Sequence, residues 1–169
     1  LAKVTNIIFM GMGEPLNNLE QVHRVCCTLH HQKLFNLGRK RMTISTSGVV
    51  PKIKELVDRN TPCCLAVSLN STNDERRSAV MPVNKVWNIA KLLEATDEYT
   101  KRTGNYVTFE FVLMKGITCS EEAARELIRI CAPRRCKVNA IVLNDGDDPT
   151  LDAPSLEEIY HFLEIVRKA

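Results

Sequence analysis

The sequence predicts an α/β domain on a parallel sheet, and three observations carry that prediction. Short apolar, β-branched runs alternate with stretches whose apolar residues recur at helical spacing, and the alternation repeats five times. No linker-like composition and no internal repeat interrupts it, so residues 1–169 read as a single domain. Each strand-like run ends in something polar or flexible: Gly13-Glu14, Ser45-Thr46-Ser47, Ser68 with Asn70, Lys115-Gly116, and Asn144. Regular alternation of this kind means parallel strands joined by right-handed crossovers. In a parallel sheet curled toward a barrel, the polar strand ends converge on one mouth, where such folds bind ligands.

The elements follow in order. Val4 to Met10 is a continuous apolar run, expected as a buried first strand. Asn18, with Gln21 three residues on, predicts a capping box, and Leu19, Val22, Val25, Cys26 and Leu29 then fall at helical spacing. A polar link from Gln32 to Arg39 leads to a second strand at 41–45. Pro51 suits the first turn of a helix reaching about Asp58. Cys63 to Leu69 is the third strand. Asn70 to Asn84 has no clean period, although Asn73 to Arg76 could start one helical turn. Asn88 opens a helix with Ile89, Leu92, Leu93 and Tyr99 on one side, and Tyr106 to Met114 is the fourth strand. Ser120 starts a helix that stops at Pro133, with Glu121 and Glu122 in its favoured first turn. Cys136 to Leu143 is the fifth strand, Asn144 to Pro154 an acidic loop, and Ser155 caps a last helix.

Composition limits the function classes. Hydrophobic content of 44% and charged content of 25% are those of an ordinary globular protein. A net charge of +3 is too small to argue nucleic-acid binding by itself. No apolar run approaches the roughly 20 residues of a membrane span, so no membrane association is expected. No signal-peptide pattern is present, and residue 1 is Leu, which fits an excised segment. The seven cysteines lack the spacing of a disulfide framework and are expected as reduced thiols. That places the protein in the cytoplasm or, alternatively, in a plastid or mitochondrial matrix.

Among candidate sites, Gly11-x-Gly13 is not a dinucleotide fingerprint, because position 16 is Leu and Pro15 interrupts the turn into a helix. Glu14 after Gly13 would repel a phosphate but suit an ammonium group; the plainer alternative is a strand-exit turn with a solvated Glu. His23, Cys27 and His30 or His31 share a helix face at metal-capable spacing, or form a partly exposed face without further ligands. Cys26-Cys27 and Cys63-Cys64 are expected as small core hydrophobes. Arg39-Lys40-Arg41 with Arg76-Arg77 and Lys85 form either a basic rim for RNA or a solvated face. Arg134-Arg135-Cys136-Lys137 precedes a strand and so lies at the opposite pole.

The run Phe9-Met10-Gly11-Met12-Gly13-Glu14-Pro15-Leu16-Asn17-Asn18 resembles the signature of the radical S-adenosylmethionine (radical SAM) methyltransferases that modify adenosine C2 or C8 in RNA, the RlmN/Cfr family. Further matches follow at suitable spacing in Thr43 to Pro51, Leu65 to Leu69, Asn73 to Arg77, Met81 to Lys85 and Phe109 to Leu113. The resemblance reaches to about Asn144. It implies a partial (β/α)6 radical SAM barrel, of which this chain supplies five consecutive β-α units. It further implies that Gly13 and Glu14 hold the methionine end of S-adenosylmethionine, Glu14 facing its α-ammonium. Ser45, Ser68 and Asn144 then contact ribose, carboxylate or adenine, with Leu69 and Asn70 in the same contact segment. Short polar side chains of this kind orient the sulfonium.

The chain also departs from the family. The C-x-x-x-C-x-x-C motif, whose thiolates hold a 4Fe-4S cluster, is not among its cysteines. Nor is the C-terminal methyl-carrier cysteine, so no catalytic or metal-ligating residue is assigned within it. Position 70 is Asn where relatives carry His. The segment Asn144 to Pro149 is acidic enough to repel RNA phosphates. The resulting expectation is a central fragment of a radical SAM methyltransferase acting on adenosine C2 of rRNA, tRNA or both, inactive alone, with flavodoxin or ferredoxin as reductant in the parent. The alternative is a non-catalytic barrel serving as an RNA- or protein-interaction module. An incomplete barrel also leaves strand edges open to self-association.

Overall fold

Parallel strands succeed one another across a single sheet. The computed structural model describes residues 4–144 and 151–168. Strands β1 (Ile7–Phe9), β2 (Met42–Thr46), β3 (Cys64–Ser68), β4 (Val107–Leu113) and β5 (Cys136–Val142) lie in the order β1-β2-β3-β4-β5. Every neighbouring pair is parallel. Helices α1 (Leu19–His30), α2 (Val50–Asp58), α3 (Asp74–Val80), α4 (Ile89–Thr103), α5 (Glu121–Cys131) and α6 (Leu156–Arg167) fill the connections. Adding each new strand at the same edge is the winding of a barrel segment. No helix among the described residues is long and apolar enough to cross a membrane.

The two-residue period of the strands separates the faces. Met42, Ile44, Leu65, Val67, Val107, Phe109, Phe111 and Leu113 are buried in one core with Leu19, Leu56, Leu92, Tyr99 and Leu127 of the helices. Phe111 stacks on Phe162 with ring centroids 6.0 Å apart, which ties α6 to the sheet. The alternate positions, among them Ser45, Ser68 and Glu110, share the opposite face; Ser68 pairs in register with Glu110.

Four expectations change. The run Val4 to Met10 is strand only over Ile7–Phe9. It is not fully buried, for it pairs on one side with β2 and leaves Ile8 58% exposed. Asn18 does precede α1, but its side chain makes no cap hydrogen bond and there is no capping box. Residues Pro15–Asn18 already turn as a 3-10 helix, whose own cap is Glu14. The stretch without a clean period contains α3 and a 3-10 turn at Pro82–Lys85. Asn73 caps α3 by accepting from the amides of Glu75 and Arg76. Finally, Arg77 is wholly buried and belongs to no surface rim. The remaining helix starts are as expected, with Asn88, Ser120 and Ser155 all accepting amide hydrogen bonds. Residues 145–150 of the acidic loop lie outside the described residues.

Candidate functional site

The ends of β1, β2 and β3 enclose a cleft of about 360 Å³ lined by Phe9, Met10, Gly11, Gly13, Glu14, Pro15, Ser45, Thr46, Ser47 and Ser68. It forms because each strand releases its chain at the same pole. After β1 the backbone passes through Gly11 at φ +127° and Gly13 at φ +97°, conformations that side-chain-bearing residues rarely adopt. A Cβ at Gly13 would meet nothing within 4 Å, so the space beside that backbone is open for a ligand.

Glu14 is held rather than solvated. Its Oε1 accepts from the Leu16 amide at 3.0 Å, and its Oε2 from the Ser47 amide at 2.8 Å and the Ser47 hydroxyl at 2.7 Å. These bonds lock the carboxylate against the exit of β2. A carboxylate offers about four acceptor positions, so one stays free for a ligand donor. Behind Ser45 and Ser68 lies a second carboxylate. Glu110 Oε2 accepts from Ser45 Oγ at 2.9 Å and from Ser68 Oγ at 3.3 Å. Among the described residues neither Glu14 nor Glu110 is within ion-pair distance of a Lys, Arg or His. Two carboxylates against the single guanidinium of Arg77, which bonds the Ser47 and Ser68 carbonyls, leave a negative balance that favours a cationic ligand.

Buried Arg77 fixes the loops around this cleft. It donates to the backbone carbonyls of Ser47 at 2.8 Å, Ser68 at 2.9 Å and Leu69 at 2.9 Å, and to Asn84 Oδ1 at 2.9 Å. Burial pulls its guanidinium down to about 10, which still leaves it charged at neutral pH.

The structure therefore brings together Gly13, Glu14, Ser45 and Ser68, and does not bring Leu69, Asn70 or Asn144 to the cleft wall. Leu69 is buried in the core, and Asn144 is exposed beyond the end of β5. Asn70 adopts a left-handed backbone at φ +54°; its Nδ2 approaches Met81 Sδ at 3.4 Å and its buried Oδ1 has no partner among the described residues. Two neighbours were not singled out from the sequence as site residues. Ser47 needed only its place beside Glu14. Glu110 carried a sharper signal, a lone carboxylate in the Val107–Leu113 strand, which is apolar but for Thr108, at a position sharing the face of Ser68.

Other candidates resolve into packing. His23 Nδ1 bonds Thr61 Oγ1 at 2.9 Å and His30 Nδ1 the Leu37 carbonyl at 2.9 Å. Among the described residues no group of three or more His, Cys, Asp or Glu could hold a metal ion. Cys26 and Cys63 are core residues, whereas Cys27 is exposed and Cys64 half-buried. Arg39–Arg41 precede β2 and so stand at the pole opposite the cleft, with Arg39 bonded to Asn60 and Arg41 to Asn6. An apolar groove of about 180 Å³ between α5, β5 and α6 has no converging polar groups.

The family model described as "Radical SAM superfamily" matches residues 1–128. The chain belongs to the radical SAM superfamily. That superfamily uses S-adenosylmethionine with a 4Fe-4S cluster. The open backbone at Gly13 and the carboxylate acceptors fit the former, while the described residues offer no ligand set for the latter. Among curated radical SAM relatives, the chain is 44% identical over 160 residues to the dual-specificity RNA methyltransferase RlmN of Bdellovibrio bacteriovorus, covering 95% of this chain and 40% of that protein. It is 38% identical to a probable dual-specificity RNA methyltransferase RlmN of Dictyoglomus turgidum, covering 97% and 47%. The crystal structure of a radical SAM methyltransferase from Sphaerobacter thermophilus superposes with a TM-score of 0.92 at 41% identity, covering 99% of this chain and 49% of that one. A domain of pyruvate-formate lyase-activating enzyme from Bacteroides vulgatus shares the fold, with a TM-score of 0.70 at 16% identity over 96% of this chain and 93% of that one. The chain thus spans less than half the length of these methyltransferases. Its sheet is the partial barrel expected of a radical SAM methyltransferase like these.

Proposed function

We propose that this chain is the S-adenosylmethionine cradle of an enzyme that methylates adenosine C2 in rRNA, tRNA or both. The observation that carries the reading is the meeting of Gly13, Glu14, Ser45 and Ser68 in one cleft whose lining, among the described residues, includes no Lys, Arg or His. S-adenosylmethionine, when bound, supplies the methyl group, and its sulfonium is open to reductive cleavage. The chain's own residues bind and orient. Glu14, already fixed by Leu16 and Ser47, offers its remaining acceptor position to the α-ammonium. Gly13 lets the ligand approach the backbone, and Ser45 and Ser68 face the rest of it from the strand ends. Placing Leu69, Asn70 and Asn144 in the same contact set requires them to reach the ligand from outside the cleft wall.

In the parent we place rRNA or tRNA as substrate, a flavodoxin or ferredoxin as reductant, and a reducing compartment, the cytoplasm or alternatively a plastid or mitochondrial matrix. These 169 residues alone are proposed to assemble no cluster and to transfer no methyl group, since none of the seven cysteines has the cluster spacing. Calorimetry with S-adenosylmethionine tests the cradle. Weak binding lost in a folded Glu14→Ala variant is the expected result, and equal affinity in both proteins would refute the assignment.

A further inference from the structure

Glu110 does not line the cleft, yet its carboxylate is the common partner of two residues that do. It is 6% exposed, in the middle of β4, and no cation lies within ion-pair distance of it among the described residues. A serine hydroxyl has one proton to donate and two lone pairs to offer. With Ser45 Oγ and Ser68 Oγ both donating to Glu110 Oε2, each presents only lone pairs to the cleft. The ligand groups they hold are therefore donors, such as ribose hydroxyls or an amine, and not a carboxylate. The charge behind the serines adds to that of Glu14, in a site shielded on one side by the sheet, where electrostatic interactions are stronger than in water.

We propose that Glu110 is a positioning residue that fixes Ser45 and Ser68 as hydrogen-bond acceptors and, through its charge, makes the cleft select a cationic sulfonium ligand over the neutral thioether left after methyl transfer. This rests on the S-adenosylmethionine reading of the cleft and deepens it. The chain thereby favours the loaded cofactor over its spent form.

The test is calorimetry on the full chain with three ligands: S-adenosylmethionine, S-adenosylhomocysteine, and the analogue carrying an amine at the sulfonium position. In the wild type the two cationic ligands should bind about tenfold more tightly than the thioether, a difference of about 1.4 kcal/mol. Glu110→Gln, which keeps shape and removes charge, should weaken both cationic ligands about tenfold and S-adenosylhomocysteine less than about threefold. The wild-type ranking stands as evidence even where the variant fails to fold. A wild type that binds the cations no better than the thioether, or a folded Glu110→Gln that loses all three equally, would overturn the selectivity while leaving the cradle reading intact. A wild type that binds none of the three would overturn the cradle reading itself.

Discussion

Arg77 shows how much one buried side chain organises. Its four hydrogen bonds tie together the exits of β2 and β3, so the walls carrying Ser47 and Ser68 cannot move apart independently. A planar guanidinium can serve several carbonyls at once, whereas an ammonium is a compact point charge. Arg77→Met should destabilise the chain by about 3–5 kcal/mol, because it leaves buried acceptors without a donor. Arg77→Lys should recover less than half of that. Urea unfolding measures both, and an unchanged midpoint in Arg77→Met would contradict the assignment. Nothing in the run Asp74-Glu75-Arg76-Arg77 separates the buried arginine from the half-exposed one before it. Charge alone favours the surface, and the carbonyl cluster that draws Arg77 inward exists only once the strand ends have met. Glu14 was legible for the opposite reason, since the residues that define its turn are its immediate neighbours in sequence.

At the scale of elements, local caps were readable and tertiary caps were not. Ser155 and Glu158 form the reciprocal capping box of α6 entirely within its first turn. Asn18 and Gln21 have the same spacing, but the preceding 3-10 turn hands over directly to α1, and Glu14 caps that turn instead. Helix α3 gives no period because its hold is partly tertiary: Asp74 Oδ1 accepts from the Ile89 amide at 2.8 Å and from Asn84 Nδ2 at 3.0 Å. Ser155→Ala should cost about 1 kcal/mol. The Glu158 carboxyl is held below its usual range, first by the Ser155 backbone amide and then by the Ser155 side chain. A carboxylate whose folded pKa is depressed stabilises above its unfolded value and loses that contribution as pH falls through the folded value. The thermal midpoints of wild type and Glu158→Gln should therefore differ more at about pH 6 than at about pH 3. A gap that widens on acidification would count against the capping box.

For the molecule as a whole, the order of β-α units was legible from periodicity, and the status of its edges was not. An apolar run such as Ile7-Ile8-Phe9 reads alike in the middle of a sheet and at its rim, because burial depends on whether a neighbour is present. Here β1 and β5 are both edges, with Ile8 58%, Met10 49%, Ile141 39% and Val142 41% exposed. Open edges and apolar surface invite association. The chain should therefore show concentration-dependent self-association in sedimentation, and Ile8→Lys should reduce it; a strict monomer at all concentrations would contradict this. The convergence of the first three strand ends on one cleft was also foreseeable, but Lys115-Gly116 and Asn144 do not line it. The bonds of Glu14 and Glu110 across β2, β3 and β4 needed the register of the sheet. The central claim is that this cleft is the S-adenosylmethionine cradle, and titrating the cofactor into isotope-labelled protein while following backbone amides tests it most directly. Shifts concentrated at Gly13, Glu14, Ser45, Ser47 and Ser68 are the predicted result. No shifts, or shifts centred on the apolar groove around Leu127 and Cys131, would contradict it.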